Sequence, residues 1–291
     1  MWGLLLTNQK DFTLEMMIVQ EKTVSRGEGL DRFFDVVFVR PPGNSYVNCI
    51  STNPDRNEID VTLAKQQHRQ YVSILKEAGL EVIELPSLES FPDSVFTYDP
   101  ALVGLRTCVI GRFGEKSRRG EEQALLSDLS RYRNEVGRIH SVKEPATLEG
   151  GDILVTDHGI FVGESTRTNS DGIRQLRDYL SELRVKSIKI DVFHLLCACT
   201  YLTNRKMLIA PDLVTPESFP GFEFVLIPKE EAFAAEALYL GEGRVLVPSG
   251  FPRTSGKLEA AGFKPIEADL SEFYKGDGGV PCLCLPVYKT L

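Results

Sequence analysis

Hydrophobic and polar positions alternate in short stretches from residue 35 onward. Asp35-Val36-Val37-Phe38-Val39-Arg40 reads as an alternating-to-apolar strand. Pro41-Pro42-Gly43 ends it, and the polar loop from Asn44 to Arg56 is long enough to move over a site. Across residues 58–79, Ile59, Leu63, Tyr71, Ile74 and Leu75 fall at roughly helical spacing, with Gly79 as the terminating glycine. Strands are predicted at 81–85, 107–111, 187–192, 199–203, 206–210, 223–228, 264–268 and 281–285. A hairpin over 152–164 turns at Asp157-His158-Gly159, and Leu238-Tyr239-Leu240 and Val245-Leu246-Val247 frame the turn Gly241-Glu242-Gly243. Further helices are predicted at 121–132, 169–183 and 253–261. This rhythm has no Pro-, Gly- or Ser-rich linker. It favours one compact α/β domain with mixed sheets over a doubly wound parallel fold. Residues 1–33 break the pattern and are read as an N-terminal extension, or as a start codon placed too early, leaving 34–291 as the single domain.

A chain of 291 residues with 42% hydrophobic content can bury a core without disulfides or metal. Its net charge of −8 argues against nucleic acid as a partner. No apolar run reaches the ~18 residues of a membrane span, so a membrane is not an expected partner either. The opening Met1-Trp2-Gly3-Leu4-Leu5-Leu6 lacks a basic leading segment and makes a poor export signal. The six cysteines are therefore expected as free thiols in a reducing cytoplasm. No Gly-x-Gly-x-x-Gly or phosphate loop is present, and the cysteines and histidines lack CxxC or HxxxH spacing, so neither a cofactor nor a metal is expected. Cys197 with Cys199, and Cys282 with Cys284, are expected to share one face of a strand.

Several clusters could carry chemistry. In Asp277-Gly278-Gly279-Val280-Pro281-Cys282 a thiol follows a glycine pair, which suits either a held nucleophile or a buried apolar cysteine. Asp93 and Asp99 flank the apolar patch Val95-Phe96, as carboxylates awaiting a cation or as turn residues. Glu149-Gly150-Gly151-Asp152 again packs acids around a glycine turn. Arg118 and Arg167 each stand before a helix, where a carboxylate ligand could meet guanidinium and helix end together, or where either could be a solvated surface arginine. His194, among Val192, Phe193, Leu195 and Leu196, suits a core histidine or a general acid in a dry site.

Taken in order, these clusters are recognisable. Phe91-Pro92-Asp93-Ser94-Val95-Phe96, Ser117-Arg118-Arg119-Gly120-Glu121, Leu148-Glu149-Gly150-Gly151-Asp152, Val162-Gly163-Glu164-Ser165 with Arg167-Thr168-Asn169, His194-Leu195, and Asp277-Gly278-Gly279-Val280 with Cys282 are phrases of one family. From about Phe34 to the C-terminus the chain resembles dimethylarginine dimethylaminohydrolases, within the superfamily of arginine deiminases and amidinotransferases. The resemblance implies an α/β fold that is a five-bladed propeller of pseudo-fivefold ββαβ modules with a central active site. It implies Cys282 as nucleophile, His194 as general acid and base, and Asp99 and Glu149 as carboxylates holding a guanidinium. Asp93, Arg118 and Arg167 would hold the amino-acid end of the substrate, Ile50 would belong to a lid, and Asp277 would sit at the rim.

The implied activity is cysteine-dependent hydrolysis of an arginine-type guanidinium through a covalent thiouronium, giving citrulline and an amine, with a small guanidino amino acid as ligand and a homodimer as an open option. The alternatives are an arginine deiminase releasing ammonia, an amidinotransferase using the same residues, and a non-catalytic binder, which would need loss of the cysteine or histidine. Three positions depart from the family. Tyr98 replaces an acid that usually pairs with the next aspartate, Leu196 replaces a lysine, and Glu236 stands where the bacterial enzyme has a small amide residue. These leave the reaction class in place and open the question of the substrate's nitrogen substituents.

Overall fold

The computed structural model describes residues 31–132 and 135–291. Most of the extension expected over residues 1–33 therefore lies outside the described residues.

The described chain repeats one motif five times. In each, an antiparallel strand pair is followed by a crossover to a third strand parallel to the second. The chain enters mid-motif with β1 (Phe34–Val39), α1 (Val61–Glu77) and β2 (Glu81–Glu84), in which β1 and β2 are parallel. A complete motif follows, with β3 (Ala101–Gly104), β4 (Thr107–Ile110), α2 (Glu121–Leu129) and β5 (Arg138–Ser141). The next is β6 (Ile153–Thr156), β7 (Gly159–Glu164), α3 (Ser170–Tyr179) and β8 (Val185–Lys189). In β9 (Cys199–Thr203), β10 (Lys206–Ile209) and β11 (Glu223–Leu226), a 3-10 turn at Pro216–Ser218 replaces the helix. The last complete motif is β12 (Leu238–Gly241), β13 (Arg244–Pro248), α4 (Pro252–Ala260) and β14 (Lys264–Ala268). After α5 (Ser271–Tyr274), β15 (Cys284–Tyr288) pairs antiparallel with β1 and completes the motif the chain began with. It also pairs in parallel with β3, which joins two motifs into a six-stranded sheet.

Burial falls across each motif. The first strands β3, β6, β12 and β15 are buried along their whole length, whereas the third strands β2, β5, β8 and β11 are largely exposed or half-buried. Strands covered on both faces read as continuous apolar runs, which is why Ala101-Leu102-Val103 and Ile153-Leu154-Val155 carry no alternation. β6, β9 and β12 lie beside one another, so the first strands form the interior of the molecule. α1 buries Ala64, Tyr71, Val72 and Leu75, is capped by Asp60 accepting from the Thr62 and Leu63 amides, and ends at Gly79 with φ of +80°. Arg32 reaches back to that end and donates to the carbonyls of Ala78 (2.9 Å) and Gly79 (2.8 Å).

Two expectations need correction. The last strand begins at Cys284, because Pro281–Leu283 forms a 3-10 turn. Pro281 lacks the amide a ladder needs, and its fixed φ suits the start of a helical turn. Likewise Leu195–Cys197 is a 3-10 turn, so Cys197 lies outside the strand that Cys199 opens. Neither cysteine pair shares one face of a strand. No helix among the described residues is long and apolar enough to cross a membrane.

One buried ion pair ties motif to motif. Arg40, 2% exposed at the end of β1, donates from Nη2 to Asp128 of α2 at 3.0 Å and from Nη1 to the Pro86 carbonyl. Removing one partner strands a buried charge. Asp128→Ala should lower unfolding free energy by about 3–5 kcal/mol, and the double change Arg40→Met with Asp128→Leu should cost less, both measured by urea denaturation.

Candidate active site

Each motif's buried first strand is entered through a short irregular segment, and these five segments carry the site. Asp99 stands two residues before β3, Glu236 two before β12 and Cys282 two before β15. Glu149 and Asp152 precede β6, and His194 and Cys197 precede β9. Tyr98, Asp99, Gly151, His194, Leu196, Cys197, Glu236, Pro281 and Cys282 enclose a hollow of about 210 Å³. Beside the same Asp99–Arg118 pair, Ile50, Asp93, Phe96, Arg118, Arg167, Phe193, Gly276 and Asp277 line a second hollow of about 280 Å³.

His194 is oriented from three sides. Its Nε2 lies 3.0 Å from Glu149 Oε2, its Nδ1 lies 3.9 Å from Asp99 Oδ1, and Asp152 accepts the amide of the following Leu195 at 3.1 Å. The imidazole rests so close to Gly151 that any Cβ there would run into Nδ1. This close approach is the reason for the glycine. Burial alone would lower the pKa of His194, but the carboxylates of Asp99, Glu149 and Asp152 raise it to about 9. The ring is an imidazolium at neutral pH.

Glu149 was expected to hold a guanidinium. In the structure it is fully buried and both oxygens are engaged, Oε2 with His194 and Oε1 with the Gly114 amide at 3.0 Å. Asp99 is divided differently. Oδ2 accepts from Arg118 Nη1 at 2.7 Å, while Oδ1 is buried and has no hydrogen-bond partner among the described residues. Arg118 is itself clamped by Glu121 through Nε (3.1 Å) and Nη2 (2.9 Å) and lies over the Phe113 ring.

In the second hollow Arg167 stacks on Phe193, its guanidinium carbon 4.3 Å from the ring centroid. Its Nη1 is buried without a hydrogen-bond partner, 3.8 Å from Glu149 Oε1. Asp93 accepts the Ile50 amide with Oδ1 (3.0 Å) and Oδ2 (3.3 Å), and burial, only partly offset by Arg118 and that amide, raises its pKa. Asp277, at φ of +57°, accepts from the amide (2.6 Å) and hydroxyl (3.0 Å) of Thr52. The loop carrying Ile50 is thus latched from both sides.

Cys282 donates its thiol to Glu236 Oε2 at 3.6 Å. Burial, then the charges of Glu236 and Asp99, push the thiol well above its ordinary pKa. Tyr98 directs its hydroxyl to Tyr288 (2.7 Å) and the Ile153 carbonyl (3.4 Å), which leaves its ring as a wall of the hollow. Sequence reasoning assigned no role to Glu121, Asp152, Glu236 or Cys197. The signal for Glu236 was present, as a single acid inside Ala234-Ala235-Glu236-Ala237-Leu238.

The family model for N,N dimethylarginine dimethylhydrolase, eukaryotic, matches residues 43–220. The dimethylarginine dimethylaminohydrolase of Pseudomonas aeruginosa is 35% identical, over 87% of this chain and 99% of its own. The chain belongs to the dimethylarginine dimethylaminohydrolase family. An uncharacterized protein of Aeropyrum pernix is 43% identical over 90% of this chain and 98% of its own. A cysteine-to-serine mutant of the P. aeruginosa enzyme, solved in complex with citrulline, superimposes with a TM-score of 0.82 at 34% identity, covering 88% of this chain and all of that one.

The charges of this family member's site fix the sign of its pH response. His194 has a folded pKa of about 9 against an ordinary 6.5. Its contribution to stability is complete below the lower value and is lost as pH rises through the higher one. Asp152, raised by burial to about 6, and Glu236, raised by burial to about 7, have titrated before then. The thermal midpoint should therefore fall between pH 7 and 9, and His194→Asn should flatten that slope, as differential scanning calorimetry across the range would show.

Proposed function

We propose that this chain is a cysteine-dependent hydrolase that removes the amine from an Nω-methylated arginine and yields citrulline. One observation carries the reading: the unpartnered Oδ1 of Asp99, buried beside the His194 imidazolium at the hollow that Cys282 lines. A buried carboxylate oxygen without a donor is costly, and a guanidinium N–H supplies one. The unpartnered Nη1 of Arg167 in the neighbouring hollow offers the complementary charge to an α-carboxylate. A decarboxylated guanidine would leave it unsatisfied.

The chemistry follows from the positions. Asp99 holds the planar cation by a charge-assisted bond and presents its carbon to Cys282 Sγ. Arg118 and Glu121 hold Asp99 in that orientation. The bound cation favours the thiolate that this buried, acidic site otherwise opposes. Sulfur attack gives a tetrahedral adduct, and His194 donates its proton to the departing amine, leaving a thiouronium on Cys282. The neutral His194 then takes a proton from water, and collapse releases the ureido product. Asp93, freed from the Ile50 amide, is placed to take the substrate ammonium, and the loop carrying Ile50 is read as the lid.

We further infer that the five motifs close as a five-bladed propeller around this site. The fivefold repetition and the burial gradient support that reading. Residues 34–291 are read as a single guanidine-modifying domain. Six free thiols support a cytoplasmic setting.

The test is an endpoint assay of ureido product and released amine with asymmetric dimethylarginine, monomethylarginine, arginine and agmatine. The methylated arginines should turn over with release of dimethylamine or methylamine, agmatine should not, and Cys282→Ser should show only background. Turnover of arginine alone, with ammonia, would replace this reading with a deiminase. Gly151→Ala, which displaces the His194 ring, should lower kcat by about 10²-fold while the far-ultraviolet circular dichroism stays unchanged.

A further inference from the structure

The proposed reaction leaves one proton unassigned. Cys282 rests as a thiol, because burial and two nearby carboxylates oppose its ionisation. His194 cannot take the proton, being an imidazolium already bonded to Glu149. We propose that Glu236 is the base that accepts the Cys282 proton as sulfur attacks and returns it when sulfur leaves: its carboxylate faces the thiol at 3.6 Å inside the catalytic hollow. This inference rests on the reading of the chain as a guanidine hydrolase.

Three further observations support it. Glu236 occupies the position relative to its strand that Asp99 and Cys282 occupy relative to theirs, so the fold delivers it to the centre as it delivers them. Its seat is built. The 3-10 segment Lys229–Ala235 leads into it, its amide donates to the Phe233 carbonyl at 3.1 Å, and the Gly279 backbone lies so close that any Cβ there would strike the carboxylate. Finally, the groups that face it are the thiols of Cys197 and Cys282, with His194 and Asp99 beyond. Burial raises its pKa to about 7, against the lowering effect of the two thiols and His194. A base poised near neutral pH suits proton transfer to and fro.

The balance closes. In the first half, the S–H bond breaks, its proton passes to Glu236, and the sulfur pair forms the S–C bond to the guanidinium carbon, giving a neutral adduct. His194 then protonates the leaving nitrogen and the C–N bond breaks, which yields neutral amine and cationic thiouronium. In the second half, water adds to carbon as His194 recovers its proton. The C–S bond breaks, Glu236 returns its proton to sulfur, and the hydroxyl proton of the departing product goes to the released amine. Thiol, carboxylate and imidazolium are all restored.

Glu236→Gln keeps the shape and removes the basicity. Its kcat for the methylated arginine should fall about 10²-fold or more, with KM changed by less than about threefold. Alkylation of Cys282 by iodoacetamide, followed across pH by peptide mass spectrometry, should move the other way. With the carboxylate charge gone, the midpoint shifts to lower pH. A structural lesion would not lower turnover while making the thiol easier to ionise. A kcat within about threefold of the parent, or an unmoved alkylation midpoint, overturns the proposal. The alkylation arm needs no substrate, so if the parent protein hydrolyses none of the guanidines, the function reading fails by itself and the midpoint still decides Glu236. If Glu236→Gln does not fold, Glu236→Ala with added formate replaces it. Restored turnover supports the base, and its absence overturns it.

Discussion

The hydrogen bond between His194 and Glu149 is the contact around which the site is organised. It joins two motifs, since Glu149 enters β6 and His194 enters β9. Gly151 lets the backbone pass against the imidazole, where any Cβ would strike the ring. The bond also distinguishes two acids of similar appearance by their partners. A carboxylate with both oxygens bonded within the protein, as Glu149 has, is held in place and keeps only its remaining lone pairs for a ligand. One bonded through a single oxygen, as Asp99 is to Arg118, keeps capacity for a ligand. The geometry thus separates the acid bonded to His194 from the acid that keeps a buried oxygen unpartnered.

The repeated motif explains how residues spread from Asp99 to Cys282 come to share a hollow of about 210 Å³. Each buried first strand is rigid because it is packed on both faces. The residues just before it inherit that rigidity without being locked into a ladder. Three-ten turns at Pro92–Val95, Gly150–Asp152, Leu195–Cys197 and Pro281–Leu283 hold these entries compactly. A site built at element ends on a rigid frame can be placed within the fraction of an ångström that bond-making chemistry requires.

Much of this was legible in the sequence. Short apolar runs and their punctuation located most strands and helices, and the ordered phrases around Asp93, Arg118, Arg167, His194 and Cys282 named residues that the fold gathers into two adjoining hollows, with Glu149 behind His194. What escaped was pairing. A sequence shows that Glu149 and Asp99 are acids near glycines or prolines, but not which oxygen is already taken. The entry to β15 was misplaced because Pro281-Cys282-Leu283 is as apolar as the strand it precedes, and hydropathy does not distinguish a buried turn from a buried strand. Glu236 stands out in the sequence as a departure from the family, but its partners do not, because Cys197 and Cys282 are distant in sequence and a single acid carries no spacing from which to argue.

Charge balance accounts for the remaining behaviour of the site. Six carboxylates, those of Asp93, Asp99, Glu121, Glu149, Asp152 and Glu236, are buried against the three cations of Arg118, Arg167 and His194. An uncompensated buried anion is expensive, and the molecule answers in the ways open to it. It keeps His194 protonated and raises the pKa values of Asp152 and Glu236. It also holds Cys282 as a thiol. Each response is reversed by adding positive charge. A guanidinium entering the hollow supplies that charge beside Asp99, and it lowers the cost of ionising the sulfur it is about to meet. The acidic surplus that holds Cys282 as a thiol is thus the same surplus that a bound cation would offset.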